Sequence, residues 1–240
     1  MALPGITITI NPNGLRQLQA SGANVSVKLG VSSLGTVNTL YAFADPTTAQ
    51  NTLGVGPLVE AVVDTLAVAG GTVLAIPLAS PTAGSVSATA KTGVAGVGTV
   101  TGSATSGSPY DTYNIIVTIT TAGALGVAVF TYSMDGGNNV SGQILVPAGG
   151  VYAIPGTNVT LTFASTFGVG DYYNITTVPA AFTATEVTAA FTVLLADPTE
   201  WGFVHVIGMG TTVVAAVAMA AIIDIQMVLA QAAFRYVWGI

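Results

Sequence analysis

Between Phe182 and Ile240 the apolar positions switch period three times. A helical spacing over 183–196 gives way to a short run over 201–207, then to a long apolar stretch over 211–233 and a last short run over 235–240. Helix, strand, helix, strand in that order predicts a βαβ crossover, and a crossover needs a parallel sheet. The expected partner strands are the apolar runs at 25–31, which contains Lys28, and at 72–78, where Pro77 marks an end or a bulge. The helix at 183–196 opens on a capping box, Thr183 with Glu186 three residues on, and carries Val187, Ala190, Phe191, Leu194 and Leu195 as one stripe before Asp197-Pro198 closes it. Upstream, Asp45-Pro46 is a helix start running to Thr52, and Gly56-Pro57 begins a second helix. That helix has Leu58, Val59, Val62, Val63 and Leu66 inward, Glu60 and Asp64 on its wetter face, and Gly70-Gly71 at its end.

The middle of the chain obeys period two. Tyr113, Ile115, Val117 and Ile119 fall on one face of a strand, and Phe130 and Tyr132 on one face of the next. Asp135-Gly136-Gly137-Asn138 is a hairpin turn signal, and short strands follow at 143–146, 151–154, 159–163 and 172–176. This spacing predicts an all-β sandwich or barrel, and we prefer an immunoglobulin-like sandwich. The Ser, Thr, Ala and Gly-rich stretch over 79–107 is either a linker or the weakly patterned first strands of that domain. The expected fold class is therefore an α/β core, its sheet parallel or mixed, with an inserted all-β sandwich. The boundaries are 1–20 for an N-terminal arm, 21–82 and 180–240 for the two parts of the core, and 83–179 for the insert. In the arm, Ile6-Thr7-Ile8-Thr9-Ile10 alternates and Asn11-Pro12-Asn13-Gly14 ends it. It reads either as an edge strand of its own sheet or as an arm that pairs with a neighbouring subunit.

Composition changes the picture in one respect. Of 240 residues 51% are hydrophobic, but only 6% are charged, against about 25% in an average soluble protein. A free monomer with so few charges is poorly protected against association, so its surface is expected to be covered by other subunits or by a membrane. The membrane reading rests on 213–229, but the uninterrupted apolar run stops at Asp224, short of the roughly 18–20 residues a span requires. No membrane insertion is expected, and a helix buried on all sides of an α/β core explains the same stretch. The four basic residues, Arg16, Lys28, Lys91 and Arg235, are scattered, which argues against nucleic-acid binding. There is no cysteine, which excludes disulfides, thiolate nucleophiles and cysteine metal sites. The first five residues have neither the basic nor the apolar region of a signal peptide.

Candidate chemistry is sparse. His205, the single histidine, sits in a strand; a zinc site would need further nitrogen or sulfur ligands, and no Gly-x-Ser-x-Gly elbow supplies a nucleophile. Gly54-Val55-Gly56-Pro57 precedes a helix, but no Gly-Lys-Ser/Thr follows and Pro57 removes an N–H donor. Gly93, Gly96, Gly98 and Gly102 precede no helix. Asp197 and Glu200 flank a helix exit, which suits capping, and Asp135 and Asp171 lie in turns with too few carboxylates for calcium. Asp224, alone in an apolar helix, pairs with Arg235, faces a wet groove or meets a neighbouring subunit. No catalytic residue, cofactor site or metal site is expected.

Three stretches carry a resemblance. They are Val27-Lys28-Leu29-Gly30-Val31-Ser32-Ser33-Leu34-Gly35-Thr36-Val37-Asn38-Thr39 with Gly56-Pro57-Leu58; Tyr132-Ser133-Met134-Asp135-Gly136-Gly137 with Val146-Pro147-Ala148-Gly149-Gly150; and Leu195-Ala196-Asp197-Pro198-Thr199-Glu200-Trp201-Gly202-Phe203-Val204-His205-Val206 with Phe234-Arg235-Tyr236. Together they resemble the contractile-tail sheath proteins of bacteriophages. The resemblance implies a non-enzymatic structural subunit of the virion tail, assembled in the host cytoplasm, with no cofactor. It implies self-assembly into a helical tube, with the tail tube protein, the baseplate and the tail terminator as further partners. A sheath of this family continues past the equivalent of Ile240, so the chain is either part of a longer protein or its last strand is completed by another chain. Ile6, Ile8, Ile10, Val237 and Ile240 are the candidate residues for strand pairing between subunits. The alternatives are another virion structural or receptor-binding β-domain protein, favoured if Tyr110, Tyr172 and Tyr173 share one exposed loop face, and a protein anchored by 213–229.

Overall fold

The computed structural model describes residues 25–93, 95–208, 213–232 and 238–239. The N-terminal arm with Ile6, Ile8 and Ile10, and the positions Val237 and Ile240, lie outside the described residues.

One mixed sheet organises the two ends of the chain. Strand β1 (Ser26–Gly30) pairs in parallel with β3 (Val73–Pro77) on one side and with β13 (Phe203–Val206) on the other. β14 (Trp238–Gly239) lies parallel to β13, and β2 (Tyr41–Phe43) runs antiparallel along the far edge of β3. The order is β14-β13-β1-β3-β2. The sequence pattern does not reveal β2: three residues are too few to carry a periodicity.

Local chemistry starts the helices where the sequence places them. Helix α1 (Pro46–Leu53) is capped by Asp45, whose Oδ2 accepts the Thr48 N–H at 2.7 Å. Helix α2 (Pro57–Ala69) starts after Gly56, which has φ +126°; a Cβ there would lie 3.2 Å from the Val31 carbonyl oxygen. In α3 (Ala184–Ala196) the capping box forms, with the Thr183 N–H donating to Glu186 Oε2 at 2.8 Å and the Thr185 N–H to Thr183 Oγ1 at 3.3 Å. Helix α4 (Val213–Ala232) joins β13 to β14 and completes the expected crossover.

The sheet has a helical layer on each face. Val27, Leu29, Leu74, Ile76 and Val204 pack with Phe191 and Leu194 of α3 and Met219 and Ile223 of α4. Phe43, Val73 and Ala75 pack with Leu53 of α1 and Leu58 and Val62 of α2. β3 is buried on both faces, which is why it reads as a continuous apolar run rather than an alternation. Helix α4 departs from expectation. It is buried on one side only: Met219, Ile223 and Ala230 are covered, whereas Val217 is 64%, Ile225 53%, Val228 63% and Leu229 49% exposed.

The remaining strands lie between Ser85 and Val178. β10 (Val151–Ile154), β11 (Val159–Ala164) and β6 (Thr99–Ala104) form one antiparallel sheet. In the other, β12 (Tyr172–Val178) pairs with β7 (Asn114–Thr121), followed by β8 (Val129–Ser133) and β9 (Ile144–Leu145). The other edge of β12 pairs with β4 (Ser85–Val86) and β5 (Ala90–Thr92). The stretch over 79–107 therefore holds strands rather than a plain linker. The two sheets share one core of Val100, Ile115, Val117, Phe130, Leu161, Phe163, Tyr173 and Ile175. Phe130 anchors it, with its ring centroid 4.8 Å from Phe163 and 5.3 Å from Tyr152. The chain enters and leaves this region side by side: the Thr82 N–H donates to the Ala181 carbonyl at 3.2 Å and the Ala181 N–H to the Thr82 carbonyl at 2.9 Å.

Candidate interaction surface

Most of the groups that sequence alone offers for chemistry are occupied by a structural task. Lys28 and His205 stand opposite one another in the β1–β13 register, and Lys28 Nζ lies 3.2 Å from His205 Nδ1. Lys28 is only 6% exposed, and burial lowers its pKa. Burial also lowers that of His205, assisted by the neighbouring ammonium. A neutral imidazole is the form that accepts a hydrogen bond from a buried ammonium, so His205 serves as the lysine's acceptor. The Phe203 ring, 5.8 Å from Nζ, adds a weak cation–π contact.

Asp171 closes the turn that precedes β12, as the sequence suggests, but it is buried there. Its Oδ2 lies 3.3 Å from Lys91 Nζ and accepts the Gly168 N–H at 3.0 Å. Lys91 also donates to the carbonyls of Gly96 at 2.6 Å and Gly98 at 3.1 Å and lies 5.3 Å from the Tyr173 ring centroid. Burial works against ionisation of Asp171, but the Gly168 N–H and the Lys91 ammonium outweigh it, and its pKa is lowered. Asp135 staples its own loop. It accepts from Asn139 N–H at 2.9 Å and from Ser133 Oγ–H at 2.7 Å, and these bonds, the first foremost, hold its pKa at about 2. Asp197 accepts the Thr199 N–H at 2.8 Å, a capping role. At Gly54 a Cβ would sit 2.2 Å from Ser33 Oγ, and that hydroxyl accepts the Val55 N–H at 3.0 Å. The Gly54–Gly56 turn is thus filled by the chain's own 32–34 segment. Among the described residues no group of three or more His, Asp or Glu is placed to hold a metal ion.

Tyr110, Tyr172 and Tyr173 do not form the shared aromatic face that would favour a receptor-binding reading. Tyr173 is buried and donates to the Gly98 carbonyl at 2.7 Å. Tyr172 precedes it on β12 and so points to the opposite side of the sheet. Tyr110 sits where α2 begins, its carbonyl 3.3 Å from the Cβ position of Gly56.

The outer face of α4 has no such internal task. Val217, Ala221, Asp224, Ile225, Val228 and Ala232 follow one another at helical spacing, and all are exposed. Asp224 is the one charged residue of the helix. Both ammonium groups among the described residues are spent internally, Lys28 on His205 and Lys91 on Asp171. The face is thus apolar and without a positive charge of its own. Among the described residues no helix is long and apolar enough to cross a membrane. The signal for this surface was present in the sequence, as an apolar helix with no polar stripe, but reading it as burial on all sides hid it.

No protein-family model matches the chain, and no curated protein matches it. The solved structures similar to it include two sheath tail proteins. The sheath tail protein of Listeria innocua has 11% identity and a TM-score of 0.37, over 90% of this chain and 47% of its own. The sheath tail protein of Desulfitobacterium hafniense has 13% identity and a TM-score of 0.37, over 98% of this chain and 52% of its own. The chain thus spans about half the length of these two proteins.

Proposed function

We propose that the protein is a structural subunit that assembles with copies of itself, and that the assembly is the sheath of a contractile phage tail. The observation that carries self-assembly is the uncovered apolar face of α4 on a chain with only four basic and ten acidic residues. Apolar area left in water costs roughly 25 cal/mol per Å², and covering it is the main drive for association. Few charges also mean little electrostatic repulsion between copies. A heterologous contact repeated by a rotation that does not close generates an open helix, the geometry a sheath requires.

The finer parts of the reading rest on the sequence resemblance. In it, 21–82 and 180–240 form the α/β core, and 83–179 form an inserted, immunoglobulin-like sandwich carried on the outside of the tube. Residues 1–20 act as an arm, and Ile6, Ile8, Ile10, Val237 and Ile240 pair strands between neighbouring subunits. The tail tube lies inside, the baseplate and tail terminator lie at the ends, and the sheath shortens during DNA delivery.

Electron microscopy and sedimentation of the purified protein test the assembly. Helical polymers or large oligomers are the expected outcome, with Ile225→Lys/Val228→Lys shifting the distribution toward monomer without loss of helix content. A protein that stays monomeric at about 100 μM, well above the micromolar Kd expected of a modest interface, refutes it.

A further inference from the structure

The end of the β-rich region farthest from the α/β sheet is apolar and stiff. Three segments meet there: 95–98, which leads into β6; 122–128, between β7 and β8; and 165–170, between β11 and β12. Gly123 and Phe167 exchange backbone hydrogen bonds, each N–H donating to the other's carbonyl, at 3.1 and 2.9 Å. Val127 leans over this junction, its Cγ1 2.9 Å from where a Cβ on Gly123 would stand. Gly96 and Gly168 approach so closely that a Cβ on either would run into the other segment, and the buried Phe167 ring lies against Gly98.

Lys91 and Asp171 lock the first and third segments together. Lys91 donates to the carbonyls of Gly96 and Gly98, while the fully buried Asp171 takes the Lys91 ammonium and the Gly168 N–H. Tyr173 adds its hydroxyl donor to the Gly98 carbonyl. From this fixed base Val97, Val127 and Val169 stand out into solvent, 78%, 61% and 60% exposed. Ala95, Ala122 and Ala124 are exposed beside them, and none of the three segments carries a charged residue. Apolar loops held still on a β scaffold are suited to binding, because their ordering entropy is already spent. A charge-free surface of valine, alanine and glycine has nothing to steer a charged partner and fits another apolar surface.

The outer face of α4 is a second bare surface of the same kind, with Val217, Ile225 and Val228 among the exposed Ala218, Ala220 and Ala221. The two surfaces are held apart within one chain. The tip lies where β7 ends and β12 begins, whereas the Thr82–Ala181 crossing and the approach of Tyr110 to Gly56 lie at the opposite ends of those strands. The seven residues of β12, at about 3.3 Å each, set the tip about 20 Å from the α/β part.

We propose that the tip of the β-rich region docks on the outer face of α4 of a second copy. This rests on the self-assembly proposed for the chain and names the partner of the α4 face. The Lys91–Asp171 pair serves the contact by fixing the loops, since a buried ion pair recovers little net stability after desolvation. Small side chains on both surfaces let the backbones come close, so dispersion contacts add to burial. Helix α4, with 20 residues, is about 30 Å long, enough to receive loops that span two sheets about 10 Å apart. Asp224, the one charge between the two surfaces, meets no second acid, because Asp171 is turned inward to Lys91. Tip and helix are different patches, so each copy offers one of each and the contact repeats from copy to copy.

The chain has no cysteine, so single-cysteine variants report the contact directly. Val97→Cys and Val228→Cys proteins are mixed under conditions where the wild type assembles and treated with a short bismaleimide. Cross-linked dimer is expected about tenfold above that of either protein alone, because docking raises the effective concentration of one thiol at the other. The same excess is expected over Val97→Cys mixed with Val68→Cys, an exposed position near the end of α2 outside both surfaces. Adding Val127→Lys/Val169→Lys to the Val97→Cys protein should remove the excess without changing its circular dichroism. A mixture that cross-links no better than the Val68→Cys control, while the wild type still assembles, overturns this pairing and leaves self-assembly standing. Either variant alone cross-linking as well as the mixture also overturns it, since each surface then meets its own kind. A wild type that stays monomeric overturns both readings.

Discussion

The Lys28–His205 pair makes a prediction in which the sign matters more than the size. His205→Phe keeps a ring in β13 but removes the acceptor 3.2 Å from an ammonium that is 6% exposed. A hydrogen bond to a charged group is worth about 1.5–3 kcal/mol, and the Phe203 contact at 5.8 Å does not replace it. At about 2–4 °C per kcal/mol for a chain of this size, the melting temperature should fall by roughly 3–12 °C. Lys28→Met removes the charge together with its need for an acceptor, and should leave stability unchanged or raise it by about 1–3 kcal/mol. The double variant should then recover most of what His205→Phe loses. The pH dependence supplies a second check. The folded pKa of His205 is lowered, so the unfolded chain binds the proton more tightly. Wild-type stability should therefore rise with pH up to about 6.5 and fall on acidification, and His205→Phe should flatten that slope. Calorimetry or circular dichroism from pH 4 to 8 on the three variants measures all of this. If Lys28→Met destabilises as much as His205→Phe, the ammonium contributes favourably in its own right and the acceptor argument fails.

Two further outcomes follow from the β-rich region. Phe130→Ala opens a cavity beside Phe163 and Tyr152 and should cost about 3–5 kcal/mol. If the insert is a separate folding unit, urea melts should then show an early transition for it while the α/β signal persists; one shared transition refutes that division. Asp135 has a folded pKa of about 2, below its ordinary 3.8, so its loop contacts should persist above about pH 4 and be lost as pH falls through 2. Asp135→Asn should abolish that pH dependence in the amide protection of 135–139, as seen by NMR.

Much of the α/β part was legible because its signals are local. A cap acts within one turn, so Asp45-Pro46, Gly56-Pro57 and the Thr183–Glu186 box announce their helices without reference to the rest of the chain. The doubly buried strand β3 announces itself by its unbroken apolar run. Where strands are short or built from small residues the signal vanishes: β2 has three residues, and β4 to β6 consist mostly of Ser, Thr, Ala and Gly, which show almost no contrast between inside and outside.

The chain by itself therefore determined the order of helices and strands, the parallel crossover near its end and the scarcity of charge. Tertiary structure decided which groups meet. Lys28 finds His205 across 177 positions, Lys91 closes on Asp171, and Tyr173 turns inward while Tyr172 turns out. It also decided that α4 is covered on one face and bare on the other. Periodicity records how often a residue must avoid water, and it is blind to what will do the covering. A neighbouring element and a neighbouring subunit exclude water equally well, so only the packed arrangement separates the two.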